Sequence, residues 1–140
     1  MNMQACHWAI ADLPGLSQEQ IEQLKACGIE TTKQLLSRSN TTRSQSDLAA
    51  QLHLHPQYLK KWAALADLAR LPSVGCQYCG VLLHSGIASV SQLAQTPVHR
   101  LHRQVLRLEV ATLQRNDLCP PVDVTRRWVE EARVAMRVPF

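Results

Sequence analysis

Aromatic residues are scarce in this sequence: three tryptophans, two tyrosines and one phenylalanine make up 4% of its 140 residues. A core with so few rings depends on aliphatic side chains, and a hydrophobic content of 46% is enough for one modest core. The many leucine, alanine and glutamine residues favour helices, and no segment carries a strand pattern of any strength. We therefore expect an all-α protein.

Long hydrophobic runs are also missing. No apolar segment has the length that a bilayer requires, and residues 1–5 do not form the basic and then apolar leader of an exported protein. The cysteines are odd in number and scattered, which argues against a disulfide framework and for a reducing compartment. We expect a soluble cytoplasmic protein without membrane insertion, whose cysteines are Cys6, Cys27, Cys76, Cys79 and Cys119.

Signals of catalysis are absent from the sequence. It contains neither a Walker loop nor a dinucleotide-binding loop, and no nucleophile lies within a recognisable motif. The acidic residues are scattered over positions that suit helix caps and surfaces. These features predict a protein that is not an enzyme and that needs no cofactor.

The charge is mildly basic and unevenly distributed. The net charge is +4, and residues 97–140 hold eight arginines against five acids, whereas residues 1–96 hold seven basic residues against six acids. If a polyanion binds, the C-terminal third is the more favourable surface. A charge of this size is also what keeps an ordinary domain soluble.

A sequence repeat organises the chain. Residues 13–17, Leu-Pro-Gly-Leu-Ser, return after 58 residues as Leu-Pro-Ser-Val-Gly at 71–75, and the Gly28-Ile29 pair returns as Gly86-Ile87. A repeated unit of this length indicates that similar structural modules pack against each other. We expect two similar halves, residues 1–70 and 71–140, that form a single compact unit.

Helix-capping residues define the ends of the repeated helices. Ser17 and Gln20 predict the start of a helix over about 18–27, and Gly28 suits the left-handed position after it. Two further capping pairs, Thr31 with Gln34 and Ser89 with Gln92, predict the helices that follow.

The segments outside the repeat contain further helix signals. We expect a short helix over 46–52, a longer one from Pro56 to about Arg70, and another after Thr96-Pro97. Residues 37–44 are polar and predict a mobile loop, residues 118–121 predict a break, and Asp123 predicts the cap of the last helix. The predicted inward-facing residues are Leu59, Trp62, Leu65, Ala66, Ala69, Val98, Leu101, Val105, Leu108, Thr112, Trp128 and Ala132.

The order of these motifs resembles known families. A helix, Leu-Pro-Gly at 13–15 and a second helix ending in Gly28-Ile29 resemble the helix-hairpin-helix family, and the continuation to Gln34-Leu35 is similar to the C-terminal domain of the bacterial RNA polymerase alpha subunit. Over nearly the whole chain, the two units, the intervening helices and the closing Trp128 helix resemble the domain of unknown function 4332 family, common in cyanobacteria. The resemblance implies two tandem helix-hairpin-helix-like repeats.

The same resemblance implies a way of binding phosphate. In nucleic-acid-binding helix-hairpin-helix proteins, two glycines let backbone amides approach a phosphate at the start of the second helix. Each copy here keeps one of them, Gly15 in the first and Gly75 in the second, and Glu19 would repel a phosphate. Gly15 and Gly75 are nevertheless the candidate hairpin contacts.

An arginine stripe is the second candidate site. Arg100, Arg103 and Arg107 share one side of the helix after Thr96-Pro97, opposite its apolar face, and such a stripe suits a phosphate backbone. Arg126 and Arg127 extend the basic region onto the last helix. The alternative is an ordinary solvated helix face.

Two other motifs have weaker functional readings. The Cys76-x-x-Cys79 spacing is half of a zinc site or a redox pair, but no second pair exists, and Cys79 aligns with the core position Ile21, so we predict a buried side chain and no metal. His53 and His55 lie where a helix-turn-helix would turn. The helix that follows is rich in apolar residues, however, so we predict that the two histidines are exposed turn residues.

Trp8 has few constraints and is expected to fasten the N-terminal segment to the body of the protein.

Two classes of function remain. The first is a module that binds nucleic acid without sequence preference, through the hairpins and the arginine stripe. The second is a rigid adaptor or assembly factor whose degenerate hairpins dock a protein partner.

Overall fold

The computed structural model describes residues 5–113 and 120–137, with side chains for 5–108 and 120–137. These residues form eight α-helices and one short 3-10 turn, Ile10–Asp12, and their only β-type pairing is an isolated bridge between Ala9 and Thr31. The described chain is thus all-helical, as predicted. The helices are α1 (Gln18–Ala26), α2 (Thr32–Arg38), α3 (Thr42–Leu52), α4 (Pro56–Ala69), α5 (Gly75–His84), α6 (Val90–Ala94), α7 (Val98–Leu113) and α8 (Val122–Arg137).

The first helix pair has the predicted caps. Ser17 and Gln20 form a reciprocal capping box at α1, and Thr31 and Gln34 form another at α2. At the end of α1, Gly28 has a φ of 82°, which places it in the left-handed region that glycine adopts without strain. Ile29 then donates its amide to the Leu24 carbonyl at 2.9 Å, which closes the helix end as expected.

The second helix pair repeats this local geometry 58 residues later. Gly86 has a φ of 97°, and the Ile87 amide donates to the Leu82 carbonyl at 2.9 Å. The Ser89 hydroxyl accepts from the Gln92 amide at the start of α6. The Gln92 side chain accepts instead from the Ala88 amide, at 2.9 Å, so the reciprocal half of this box is shifted by one residue.

The two Leu-Pro segments that precede these pairs differ in conformation. In the first, Gly15 has a φ of 85°, and the chain is extended at Ser17 before α1 begins at the next residue. In the second, α5 begins at Gly75 itself, whose φ is 53° and whose amide donates to the Leu71 carbonyl at 2.9 Å. The difference has a local cause: the glycine that allows the turn is the third residue in one segment and the fifth in the other.

Two boundaries predicted from sequence were wrong. Residues 37–44 are not a long loop, because α2 continues to Arg38 and a capping box between Thr41 and Ser44 starts α3 four residues before the predicted helix over 46–52. Asp123 is not a cap, because the Pro121 carbonyl already accepts the Thr125 amide, and Asp123 therefore lies in the first turn of α8. The predictions for Leu118, Cys119 and the side chain of Thr112 lie outside the described residues.

One core joins the two halves. Helix α4 packs against α2, α3 and α5, and α8 packs against α6 and α7. Both predicted tryptophans are fully buried, Trp62 on α4 and Trp128 on α8, and the Trp128 ring lies 5.0 Å from that of Tyr78, centroid to centroid. The other large, fully buried side chains are aliphatic: Ile10, Leu24, Ile29, Leu35, Leu59, Leu68, Leu71, Leu82, Leu93 and Leu101.

The N-terminal segment is fastened to this core by Trp8, as predicted. The Trp8 backbone exchanges hydrogen bonds with Thr32, at 2.9 Å to the threonine hydroxyl and 2.8 Å from its amide. The indole Nε1 donates to the Ala69 carbonyl at 2.7 Å. These bonds connect residues far apart in sequence, so the segment before α1 is part of the folded unit.

Candidate nucleic-acid interface

The predicted arginine stripe lies on the exposed face of α7. Leu101 and Val105 are buried on the other side of this helix, whereas Arg100, Arg103 and Arg107 are all exposed. Residues 98–108 contain these three arginines and two histidines, and none of them is acidic. Two turns of helix thus present cations to solvent without an intervening carboxylate.

The arginines of α8 have a mixed environment. Arg126 and Arg127 are exposed near the start of the helix, but Arg126 pairs with Asp123 at 3.4 Å, and Glu130 is exposed on the next turn. Arg133 is held elsewhere, because its Nε donates to the Ala94 carbonyl at 3.2 Å. Although α7 and α8 pack together, α8 contributes less unpaired positive charge than the sequence suggested.

The first candidate hairpin is exposed at its glycine, whereas Leu13 is buried and Pro14 is half-buried. Gly15 is exposed, and the Nζ of Lys61 lies 3.9 Å from the position that a Cβ on Gly15 would occupy. The sequence prediction missed this lysine, although the Lys60-Lys61 pair is visible as a basic dipeptide beside Trp62. Glu19 is also exposed, in the first turn of α1, so a cation and a carboxylate both lie near this hairpin.

Gly75, the second candidate hairpin glycine, is inside the protein. It is buried, and a Cβ at this residue would lie 3.3 Å from Cζ2 of Trp8. Its amide is already bonded to the Leu71 carbonyl. The structure therefore packs Gly75 against the indole of Trp8 inside the protein, whereas Gly15 and the α7 arginines are exposed.

The cysteine pair lies on α5. Burial raises the pKa of the Cys76 thiol to about 11, with a smaller contribution from the Asp12 carboxylate, and burial raises that of Cys79 to about 12. Cys79 is fully buried, as its alignment with Ile21 predicted. Within the part of the chain that the structure describes, no three His, Cys, Asp or Glu side chains are grouped so that they could hold a metal ion.

The two histidines of the α3–α4 turn are exposed, as predicted. His53 adopts a left-handed conformation, with a φ of 58°, and ends α3. His55 precedes α4, where its Nδ1 accepts from the Gln57 amide at 3.1 Å. Both residues thus serve the turn between the helices. The predicted inward-facing residues Leu59, Trp62 and Leu65 of α4 are buried, so this side of the helix is not available to a partner.

A surface groove that the sequence did not reveal lies between α4 and α5. Its volume is about 570 Å³, and it is lined by Gln57, Tyr58, Lys60, Lys61, Ala64, Leu83, His84 and Ala88. Tyr58 is 47% exposed, and its ring centroid lies 6.1 Å from that of the buried Trp62. Sequence reasoning missed the groove because its two walls are distant in the chain.

Among residues 5–113 and 120–137, no helix combines the length and the apolar content needed to cross a membrane.

Comparison with known proteins identifies the family of this chain. No curated protein and no solved structure matches the chain. The sequence profile of the family described as "Domain of unknown function (DUF4332)" matches residues 14–135, and the chain therefore belongs to that family.

Proposed function

We propose that this protein is a non-catalytic, cytoplasmic module that binds the phosphate backbone of nucleic acids without sequence preference. The observation that carries the proposal is the α7 stripe of Arg100, Arg103 and Arg107, which is exposed and uninterrupted by acids. Guanidinium groups bind phosphate oxygens with paired, charge-assisted hydrogen bonds, and contacts to the backbone carry no base information.

The proposal includes a tandem helix-hairpin-helix architecture. The matching helix ends at Gly28 and Gly86, and the matching caps at Thr31 and Ser89, support a duplicated unit. The unequal Leu-Pro segments then indicate that only the first hairpin, at Gly15, keeps a backbone that a phosphate could approach. In this proposal the arginine stripe is the main contact, Arg126 and Arg127 are secondary, and Gly75 has a packing role.

The test compares the parent protein with the triple variant Arg100→Glu, Arg103→Glu and Arg107→Glu. Anisotropy of labelled duplex DNA and of labelled RNA gives affinity over a range of salt concentrations. Three phosphate contacts predict that log K falls against log salt with a slope of roughly −2.7 on duplex DNA, and that the triple variant loses this dependence.

A charge-matched control separates this site from net charge. Lys25, Lys33 and Arg43 are exposed on α1, α2 and α3, and their replacement by glutamate changes the net charge by the same amount. Binding that survives in this control but not in the α7 variant supports the proposal. Equal losses in both variants, or no binding by the parent at low salt, would overturn it.

A second candidate function is a rigid protein adaptor. Two observations favour it. The Trp8 indole covers Gly75, which leaves the second hairpin no role in phosphate binding, and a groove lies beside Tyr58. A protein whose second hairpin packs against its own core keeps the rigidity of the fold while its outer helix faces remain available to a partner.

A further inference from the structure

The groove between α4 and α5 combines features that nucleic-acid binding does not require. Three of its lining residues, Ala64, Leu83 and Ala88, are aliphatic and are here called its floor, and the exposed Tyr58 lines it beside the polar Gln57. Because Tyr58 follows the His55 N-cap and packs on the buried Trp62, the ring is held in place by the fold. An aromatic side chain that is both exposed and supported is a typical anchor for a protein partner.

The charge around this floor has one sign. Lys60 and Lys61 line the groove and are exposed, while none of its lining residues, all within the described chain, is acidic. The nearest carboxylate along α4 is that of Asp67, which lines an adjoining hollow that shares Lys60, Ala64 and Ala88 with this groove. It is engaged by Arg70 at 2.6 Å and by the Val90 amide at 2.9 Å. The groove therefore attracts negative charge while its floor requires apolar contact.

Because of these two properties, the groove suits an acidic peptide better than a phosphate backbone. Ala64 and Leu83 are inside helices, where backbone amides are already hydrogen-bonded, so the floor offers a phosphate no donors. Aliphatic side chains of a partner gain from burial on the methyl groups of the floor, and flanking carboxylates would pair with the two lysines.

We propose that this groove is a docking site for an acidic segment of a partner protein that carries aromatic or aliphatic anchor residues. The site shares no residue with the arginine stripe, so it stands whether or not the stripe binds nucleic acid, although its Lys61 also lies beside Gly15. The partner's apolar residues would cover Ala64, Leu83 and Ala88 beside the Tyr58 ring, with its carboxylates facing Lys60 and Lys61.

Selection from a phage-displayed library of random short peptides tests the proposal without a known partner. We expect selected peptides to be acidic with apolar anchors, and we expect the amide signals that shift in an NMR titration to belong to α4 and α5. Selection of no peptide, of peptides without acidic residues, or of peptides that shift signals elsewhere would overturn the proposal.

The affinity of matched variants for the selected peptide then shows which residues contribute to binding. Tyr58→Ala is compared with Met136→Ala, because Met136 is the other exposed large hydrophobic residue in the described chain, at 55%. Lys60→Glu with Lys61→Glu is compared with Lys25→Glu and Lys33→Glu. We expect about ten-fold weaker binding of the selected peptide in each groove variant and little change in each control.

Two further experiments distinguish an acidic peptide from other possible occupants of the groove. The triple variant of the α7 arginines should bind the selected peptide as the parent does, and a single-stranded oligonucleotide should not displace the peptide. Displacement by the oligonucleotide would show that the groove takes nucleic acid and would refute the proposal. A peptide that matches α1, whose Glu19 and Glu22 are exposed, would identify a second copy as the occupant if the parent dimerised at the same concentrations, and it would equally refute the proposal.

Discussion

The indole of Trp8 covers Gly75, with Cζ2 of the ring 3.3 Å from the place where a Cβ of residue 75 would lie. The contact joins the N-terminal segment to the first residue of α5, and the same indole donates to the Ala69 carbonyl at the end of α4. One side chain thus closes the connection between two central helices. The indole therefore occupies the space beside Gly75 that a ligand would need.

Gly75→Ala is therefore expected to destabilise the protein more than Gly28→Ala. Both residues have a positive φ, which costs an alanine about 1 kcal/mol, but a Cβ at residue 28 meets nothing within 4 Å. The difference between the losses in free energy of unfolding of the two variants measures the crowding of the new Cβ against Trp8. Urea denaturation of the two variants gives both free energies of unfolding.

The double variant Trp8→Ala with Gly75→Ala provides the control. Once the indole is removed, the added methyl group has space, so the combined loss should be smaller than the sum of the single losses, by roughly 0.5–3 kcal/mol. Strictly additive losses would show that the two residues do not interact.

Glu131 on α8 holds the turn before α5 in place through Ser73. It is buried on α8, where its carboxylate accepts the Ser73 amide at 2.9 Å and the Ser73 hydroxyl, while Trp128 Nε1 donates to the Ser73 carbonyl at 3.1 Å. Glu131→Ala leaves the amide without its acceptor, which predicts a loss of about 1–3 kcal/mol. Glu130→Ala, at an exposed neighbouring site, should change the free energy of unfolding by less than about 0.5 kcal/mol in thermal or urea unfolding.

The thiols of α5 should react slowly in the folded protein. With the pKa of Cys76 raised from 9.0 to about 11, its thiolate fraction near neutral pH falls about a hundred-fold, and it then rises about ten-fold per pH unit up to about pH 11. Cys79, with a pKa of about 12, should react more slowly still. Mass spectrometry of alkylated peptides, native against denatured, measures both rates. Rapid labelling of the native pair would contradict the burial of these thiols.

Ser17→Ala should destabilise α1 by about 0.5–2 kcal/mol, because its hydroxyl accepts from the Gln20 amide at 3.1 Å in the capping box. Ser46, exposed in the interior of α3, gives the matched control, since its replacement by alanine removes no cap. Equal stability of the Ser17 variant and the parent would show that the box contributes nothing to the fold.

Local signals predicted most helix ends correctly. Ser17, Thr31 and Gly28 marked their helix ends correctly because caps and left-handed turns depend on a few adjacent residues. The prediction for residues 37–44 was wrong because polar composition masked the capping pair of Thr41 and Ser44. The α7 stripe was placed correctly on an exposed face because helical periodicity fixes which residues share a side.

The sequence by itself determined the all-helical class, most helix ends and the positions of Trp62 and Trp128 in the core, because these follow from short-range capping and from the 3.6-residue period. Only the tertiary structure decided that Trp8 covers Gly75, that Lys61 lies near Gly15 and that Tyr58 and Leu83 line one groove. Those contacts join residues that are far apart in the chain. Their formation depends on how the helices pack, and no local pattern specifies that packing.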